Sequence, residues 1–194
     1  HQKEAEILRG ESFNIFSVLR MESKENETHS AFLKELLDPK GSHLQGTKFL
    51  ELFINAISHE GLDLHSVKVK VEHSVGKVNL TEKTGGRIDI YIWDAHGNTV
   101  SIENKIWAKD QEAQIERYVN HKTDKNTVYY LTLHGVEPSD DSRGEYKSDI
   151  NFYNISYKND IRKWLEACMK EAVDIPILRE SIKQYIILIK KLSF

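Results

Sequence analysis

Asp89, Glu103 and Lys105 are the residues whose types and spacing point most directly to chemistry. They interrupt two apolar segments, Arg87–Trp93 and Thr99–Ile106, that are otherwise typical of buried strands. A short segment of turn-forming residues separates the two, which predicts a β-hairpin. The sequence therefore predicts that three ionisable side chains lie on an otherwise apolar pair of strands.

The pairing of this hairpin decides whether the two acids meet. If Trp93 and Thr99 close the loop, Asp89 lies directly opposite Glu103. Directly opposed residues have Cβ atoms about 4.5–5.5 Å apart. A register shift of one residue would turn Asp89 to the other face of the sheet. Glu103 and Lys105 are two residues apart on one strand, so they share a face, roughly 6.7 Å apart along it.

Two neighbouring carboxylates repel each other, by roughly 4 kcal/mol at about 4 Å and an effective dielectric constant of about 20. Three arrangements relieve this repulsion: one acid stays protonated, another base approaches, or a divalent cation lies between the acids. Oxygen ligands that leave positions for water suit Mg²⁺ or Mn²⁺, and such an ion can activate water against a phosphoryl group. Lys105 would then stand beside that water or beside the developing charge. The ordinary alternative is a solvated hairpin face with a weak cross-strand pair.

A helix predicted to run from Asp110 to about His121 brings polar side chains to the same place. Four of its residues recur at helical spacing and form one stripe: Gln111, Gln114, Ile115 and Tyr118. Glutamine side chains that face a sheet need hydrogen-bond partners, so we expect them to point toward the strand that carries Lys105. The alternative is that both glutamines lie in water at the edge of the stripe.

The surrounding pattern is helices, then strands, then helices. Apolar stripes at helical spacing predict N-terminal helices over residues 4–19, 28–37 and 46–58. Alternation from Val67 to Val71 predicts a half-buried strand ahead of the hairpin. Two more strands, over 128–132 and 151–155, and two C-terminal helices, the last opened by Pro176, complete the pattern.

This order predicts an α/β fold in which helices flank a mixed central sheet, with extra helices at both ends. We expect one domain over residues 1–194. Its parts are a helical region (1–62), a sheet core with one helix (63–155) and C-terminal helices (156–194).

Composition limits the function classes. The 194 residues carry a formal net charge of −3, with 39% hydrophobic and 29% charged residues, as in a globular protein. This charge excludes a protein that coats nucleic acid with a uniformly basic surface. Any phosphate contact must come from a local patch, for which Arg87 and Lys109 are candidates. Loop lysines, however, usually serve solubility alone.

Cysteine usage and hydropathy predict the compartment. Cys168 is the only cysteine, which excludes an intramolecular disulfide and a cysteine-based zinc site. No segment is long and apolar enough to span a membrane, and the start shows no signal peptide, so we expect a cytoplasmic protein and no membrane partner. Because the chain starts at His1 and ends without a capping glycine, we expect it to be part of a longer protein.

Three motifs occur in a recognisable order: Gly86-Arg87-Ile88-Asp89, Ile102-Glu103-Asn104-Lys105 and Gln114-x-x-x-Tyr118. Together they resemble the PD-(D/E)XK nuclease superfamily, and the last resembles the branch found in recombination helicase–nucleases and related exonucleases. Segments 27–39 and 130–135 are similar to a bacterial family within this superfamily. The resemblance covers roughly Asn14 to Ser139, and it departs from the motif at Ile88, where the name of the superfamily has proline.

The resemblance implies a restriction-endonuclease-like core and metal-dependent hydrolysis of phosphodiester bonds. The implied substrate is DNA, with RNA as the second option, in defence, restriction, recombination or repair. It implies Mg²⁺, or Mn²⁺, held by Asp89 and Glu103, with the Asn104 carbonyl as a further ligand. Glu27 would be an extra acidic ligand or a group behind the ligands.

The remaining implied roles concern catalysis and substrate. Lys105 would orient the attacking water or stabilise the transition state, and Gln114 would position the metal site. Arg87, Tyr118 and Lys109 would contact nucleic acid. Paired cuts on a duplex would favour a homodimer. The alternative is a non-catalytic module on the same fold that binds nucleic acid or a protein.

Overall fold

The computed structural model describes residues 2–194, apart from the side chains of Gln2, Lys3 and Glu6, and contains a five-stranded sheet. The expectation drawn from His1 lies outside the described residues. The strands follow each other in space as in sequence: β1 (Lys68–Ser74), β2 (Arg87–Trp93), β3 (Thr99–Lys105), β4 (Asn126–Thr132) and β5 (Phe152–Ser156). β1, β2 and β3 pair antiparallel, whereas β3, β4 and β5 pair parallel. The start of β2 and the end of β3 are therefore adjacent, at the same end of the sheet along the strand direction.

Helices surround this sheet. They are α1 (Gln2–Leu8), α2 (Ile15–Val18), α3 (Ala31–Leu37), α4 (Lys48–Ala56), α5 (Gln114–Val119), α6 (Asp140–Arg143), α7 (Arg162–Glu171) and α8 (Pro176–Ser193). Two π-helical turns, Glu25–Ser30 and Tyr157–Ile161, lead directly into α3 and α7. Within the described residues, none of these helices has the length and apolar character needed to cross a membrane.

The two faces of the sheet pack against different helices. The larger core joins alternate strand residues to buried side chains of α3, α4, α7 and α8, such as Leu33, Phe53 and Trp164. A smaller core lies on the opposite face, where Ile115 and Tyr118 of α5 pack against the sheet. The predicted α/β fold, a mixed sheet with helices on both faces, is confirmed.

Two predicted helices differ from the structure. The segment 4–19 forms two short helices, because Gly10 between them has a φ of +69°. The helix predicted from Asp110 begins only at Gln114, since Ala113 directly before it has a φ of +52°. The Asp110 carboxylate caps no helix and instead accepts hydrogen bonds from Tyr130 Oη (2.8 Å) and Ser139 N (2.7 Å).

Gly86 allows the chain to enter β2 close to α5. Its φ is +131°, and a Cβ atom there would lie 2.5 Å from Arg117 Nη1 and 3.0 Å from Tyr118 Cε1. Arg117 cannot easily move away, because it is 1% exposed and Nη1 donates to Gly85 O at 2.8 Å. The loop before β2 thus depends on glycine at this position.

We expect Gly86→Ala to destabilise the protein more than the matched change Gly76→Ala. Gly76 also has a positive φ, +110°, but a Cβ atom there would meet nothing within 4 Å among the described residues. Gly76→Ala therefore carries the backbone penalty alone, about 1–3 kcal/mol. Gly86→Ala adds overpacking, about 1–3 kcal/mol more. Urea unfolding of both variants measures the difference, and equal losses would contradict this account.

Candidate active site

The hairpin pairs in the predicted register. Trp93 pairs with Thr99 and Ile90 with Ile102, which brings Asp89 to the end of β3. Asp89 Oδ2 accepts a hydrogen bond from the backbone N–H of Asn104 at 2.7 Å. The turn geometry thus places the first acid beside the strand that carries the second.

Glu103 occupies the centre of the site and is 1% exposed. Its Oε1 atom accepts hydrogen bonds from Lys105 Nζ at 2.8 Å and from Gln114 Nε2 at 2.6 Å. Its Oε2 atom is buried and has no hydrogen-bond partner among the residues that the structure describes. One oxygen of this carboxylate is therefore fixed from two sides, while the other is left for a further ligand.

The pKa values of the three ionisable groups reflect burial and proximity. Burial raises the pKa of Glu103 to about 8, and the neighbouring Asp89 carboxylate adds to the rise. Burial also raises the pKa of Asp89 to about 6, against the lowering effects of the Asn104 N–H and Lys105. Burial lowers the pKa of Lys105, but the Glu103 and Asp89 carboxylates outweigh it, so this pKa is raised. Without a further cation, the pair of acids retains a proton near neutral pH beside a charged ammonium.

These groups line a cavity of about 410 Å³, which lies where β2 begins and β3 ends. Other walls come from the loop between β1 and β2, from the region of α5 and from the first π-helical turn. They include Glu25, Asn26, Val78, Arg87, Ala108 and Gln111.

α5 supports the acids from one face of the sheet. Gln114 is 3% exposed and holds Glu103, so this glutamine is buried and paired rather than solvated. Gln111 lies before the helix, where it is exposed and lines the cavity. Tyr118, which was predicted to contact nucleic acid, lines the cavity but is 1% exposed, and its hydroxyl donates to Arg87 O at 2.8 Å. Tyr118 therefore holds the start of β2 against α5.

A family model of the PD-(D/E)XK nuclease superfamily matches residues 13–187. The chain belongs to this superfamily. No curated protein and no solved structure matches it. The match extends past the segment in which the motifs were recognised and includes α7 and most of α8. This member of the superfamily has Ile88 at the proline position of the motif. Ile88 is fully buried in the smaller core.

PD-(D/E)XK nucleases typically use divalent metals, and the donors present here fit such an ion. A buried carboxylate oxygen without a partner, beside a second buried acid, is a hard-oxygen environment that a divalent cation would satisfy. Among residues 2–194, no group of three or more His, Cys, Asp or Glu side chains is arranged to hold a metal. Two carboxylates suit Mg²⁺, which keeps several of its waters when bound.

The structure does not bring Glu27, the predicted extra acidic group, to the cavity, but it does bring Glu25 there. Glu27 is exposed and does not line the cavity, whereas Glu25 does. Residues two apart on a helical turn point in nearly opposite directions, so one of these acids must face away. Glu25 Oε1 accepts backbone hydrogen bonds from Ile106 (2.8 Å), Trp107 and Ala108 (2.8 Å). Glu25 thereby fixes the segment that directly follows Lys105.

We expect the variant Glu25→Ala to lower turnover at least tenfold, because the segment after Lys105 loses three hydrogen bonds to one acceptor. Glu25→Gln keeps a carbonyl oxygen in the same place and should recover most of the activity. Glu27→Ala, two residues away and exposed, is the matched control. Steady-state cleavage rates compare the three variants. Equal losses in Glu25→Gln and Glu25→Ala would show that the charge of Glu25 matters rather than its hydrogen bonds.

Two other predicted residues, Asn104 and Arg87, differ in where their side chains point. The Asn104 side chain points to the opposite face from Glu103, where it bonds Ser30 Oγ (3.0 Å) and Tyr157 Oη (2.9 Å). Arg87 lines the cavity, with Nη2 3.3 Å from Glu72 Oε1.

The structure does not bring Lys109 to the cavity: this side chain is exposed and is not among the lining residues. Sequence reasoning missed Glu25 and also Arg117, whose guanidinium links α5 to the loop before β2. Nothing in the pattern of the sequence distinguishes Glu25 from Glu27, or Arg117 from a surface arginine.

Proposed function

We propose that this protein is a metal-dependent nuclease that hydrolyses phosphodiester bonds in DNA, with RNA as the second candidate substrate. The observation that supports this most is the environment of Glu103. Its Oε1 is held by Lys105 and Gln114, while its buried Oε2 is left open next to Asp89. A buried carboxylate oxygen without a hydrogen-bond partner needs an explanation, and a divalent ion shared with Asp89 supplies one.

In this proposal Asp89 and Glu103 hold Mg²⁺ or Mn²⁺, and the backbone carbonyl of Asn104 is the candidate third protein ligand. When bound, such an ion polarises a phosphoryl oxygen and lowers the pKa of a bound water. The Asn104 N–H keeps the Asp89 carboxylate in place, and Gln114 does the same for Glu103. Both acids must lose their protons before they can act as ligands, so activity rises with pH through their raised pKa values.

Lys105 supplies the mobile hydrogen bonds of the site. Its Nζ atom donates to Glu103 Oε1 in the free protein and has two further N–H bonds available. Those bonds can orient the attacking water or donate to a phosphate oxygen as negative charge develops there. The side chain is only 9% exposed, so its charge is weakly screened by solvent.

The biological setting belongs to the same proposal. We place the protein in the bacterial cytoplasm, in defence, restriction, recombination or repair, with a homodimer as the arrangement that would make paired cuts on a duplex.

The experiment is incubation of the protein with linear duplex, closed circular and single-stranded DNA and with RNA, in Mg²⁺, Mn²⁺ or EDTA. We expect cleavage that requires a divalent ion and is lost in Asp89→Asn. Asp124→Asn is the matched control. Asp124 is exposed and lies before β4, at the end of the strands away from the cavity. Binding without cleavage of any substrate would leave the non-catalytic module as the better description.

A further inference from the structure

Trp107 is a large apolar side chain exposed to solvent near the candidate catalytic groups. It is 57% exposed, whereas Trp164 is fully buried and Trp93 is half-buried. It lies two residues after Lys105 and directly before Ala108, and both of these neighbours line the cavity. Trp107 itself is not one of the lining residues, so its backbone lies beside the wall of the cavity and its side chain is exposed next to it.

The backbone of Trp107 is held firmly although its side chain is free. Its N–H is the middle one of the three that donate to Glu25 Oε1. Ile106, the preceding residue, packs against the larger core. Because the backbone is fixed, a ligand that stacks on this side chain has only the side-chain torsions of Trp107 left to order, which limits the cost of binding.

The cavity offers few positive charges for the phosphates of a substrate. Its lining contains two cationic residues: Arg87, in an exposed pair with Glu72 at 3.3 Å, and Lys105, which contacts Glu103 at 2.8 Å. The neighbouring cavity is lined by several acids, Asp110, Glu112, Asp140 and Asp141 among them. Binding that relied on the backbone charge of a duplex would find little support here.

Apolar side chains are also exposed on the loop between β1 and β2. Val78, which lines the cavity, is 46% exposed, and Leu80 on the same loop is 41% exposed. Exposed apolar side chains are thus present on both segments that adjoin the site in sequence, the one that follows β3 and the loop that precedes β2. Exposed apolar groups beside a polar cavity are typical of a site that receives flat, partly apolar groups such as nucleobases.

We propose that Trp107 is a stacking site for an unpaired nucleobase, so that the substrate presents single-stranded nucleotides at the cavity. This inference rests on the proposed nuclease function and specifies its substrate class. In an intact duplex, neighbouring bases cover both faces of each base, and Trp107 would have nothing to stack on. In a single strand, or at a frayed end, the base next to the cleaved phosphate can lie on the indole ring.

Tryptophan fluorescence tests this directly. The protein is titrated with an unlabelled single-stranded oligonucleotide or the matching duplex, with Ca²⁺ in place of Mg²⁺ so that the readout does not depend on turnover. We expect the single strand to quench the emission and the duplex to leave it nearly unchanged. In Trp107→Phe, which retains Trp93 and Trp164, the quenching should disappear. Absence of quenching by any single strand overturns the inference.

Affinities of the variants provide the second measurement. Trp107→Ala should weaken single-strand binding about tenfold or more and duplex binding less than about twofold. Trp107→Phe should retain most of the affinity, and Trp107→Leu should behave like Trp107→Ala because it keeps bulk without an aromatic face. Ile150→Ala, which is 71% exposed and outside the cavity lining, is the control. Equal losses on both substrates, or none, would overturn the inference.

The two proposals fail separately. Cleavage that depends on Lys105, together with unchanged single-strand affinity in Trp107→Ala, refutes the stacking site and leaves the nuclease function standing. Quenching and selective loss of single-strand affinity without cleavage of any substrate support the stacking site and refute the nuclease function.

Discussion

Replacing Lys105 by methionine is expected to lower the turnover number at least 100-fold and to leave KM within a few-fold of its original value. The Lys105 ammonium lies 2.8 Å from Glu103 Oε1 and is nearly buried, so a reacting group beside it would meet a weakly screened charge. Removal of one preorganised donor from a developing charge typically lowers turnover about 100- to 1,000-fold. Methionine keeps the length of the side chain and its packing while it removes the charge and every donor.

Metal titration separates this effect from a loss of the ion. Lys105 is a cation, so its removal takes away repulsion toward a divalent ion, and calorimetry with Mn²⁺ at pH 8.5 should show undiminished affinity. Lys68→Met is the matched control, because Lys68 is an exposed lysine on β1 at the opposite end of the sheet from the cavity. A Lys105→Met variant that retains full turnover would contradict the assignment of Lys105 to catalysis.

The meeting of Asp89 with Glu103 could be predicted from sequence because a short hairpin has few possible registers. A turn closed by Trp93 and Thr99 fixes the register of the two strands, and the structure has this register from Trp93–Thr99 to Ile90–Ile102. The position of Gln114 could also be predicted from sequence, since helical spacing from an apolar stripe shows which side chains face the sheet. Local rules of pairing and periodicity were sufficient for these residues.

The choice between Glu25 and Glu27 lies outside those rules. The segment Glu25–Ser30 winds as a π-helical turn, whose different pitch changes which residues share a face. Asp110 is a comparable case. Its residue type and position suit a helix N-cap, but hydrogen bonds from Tyr130 and Ser139, 20 and 29 residues away in sequence, determine its actual role. Such long-range contacts leave no periodic signal in a single sequence.

Asn104 shows how the strand that carries both Glu103 and Lys105 is fixed from two sides. On one side its N–H binds Asp89, while on the other its side chain bonds Ser30 and Tyr157 beneath the larger core. Because alternate residues of a strand face opposite ways, the side chains of Glu103 and Lys105 then face the cavity. The acids and the ammonium are thus positioned by buried contacts that are not themselves part of the chemistry.

Replacing Glu103 by glutamine is expected to change how stability depends on pH and to remove stabilisation by metal. The unfolded carboxyl has a pKa near 4.5 and the folded one a pKa of about 8, so between these values folding takes up a proton. The free energy of unfolding therefore falls as pH rises from 6 to 8 in metal-free protein, by up to about 1.4 kcal/mol per pH unit for this one group. Glu103→Gln cannot take up that proton and should lack this part of the slope.

A divalent ion should flatten this part of the slope in the original protein, since the ion binds the ionised acids and competes with their protons. At about 100 times its dissociation constant, such an ion adds roughly 2.7 kcal/mol to the free energy of unfolding. Glu103→Gln should gain none of this, because it lacks a carboxylate at the position where Oε2 is left open.

Urea unfolding at pH 6, 7 and 8, with Mg²⁺ and with EDTA, measures both effects. Four histidines also contribute to the pH slope, because desolvation lowers the pKa values of the buried His29 and of the half-buried His59, His73 and His121. Their contribution has the opposite sign and is common to both proteins, so the difference between the two slopes isolates Glu103. Parallel slopes in EDTA would mean that Glu103 is not the group that binds the proton. Equal stabilisation by Mg²⁺ in both proteins would remove Glu103 from the metal site, and the nuclease proposal would lose its main support.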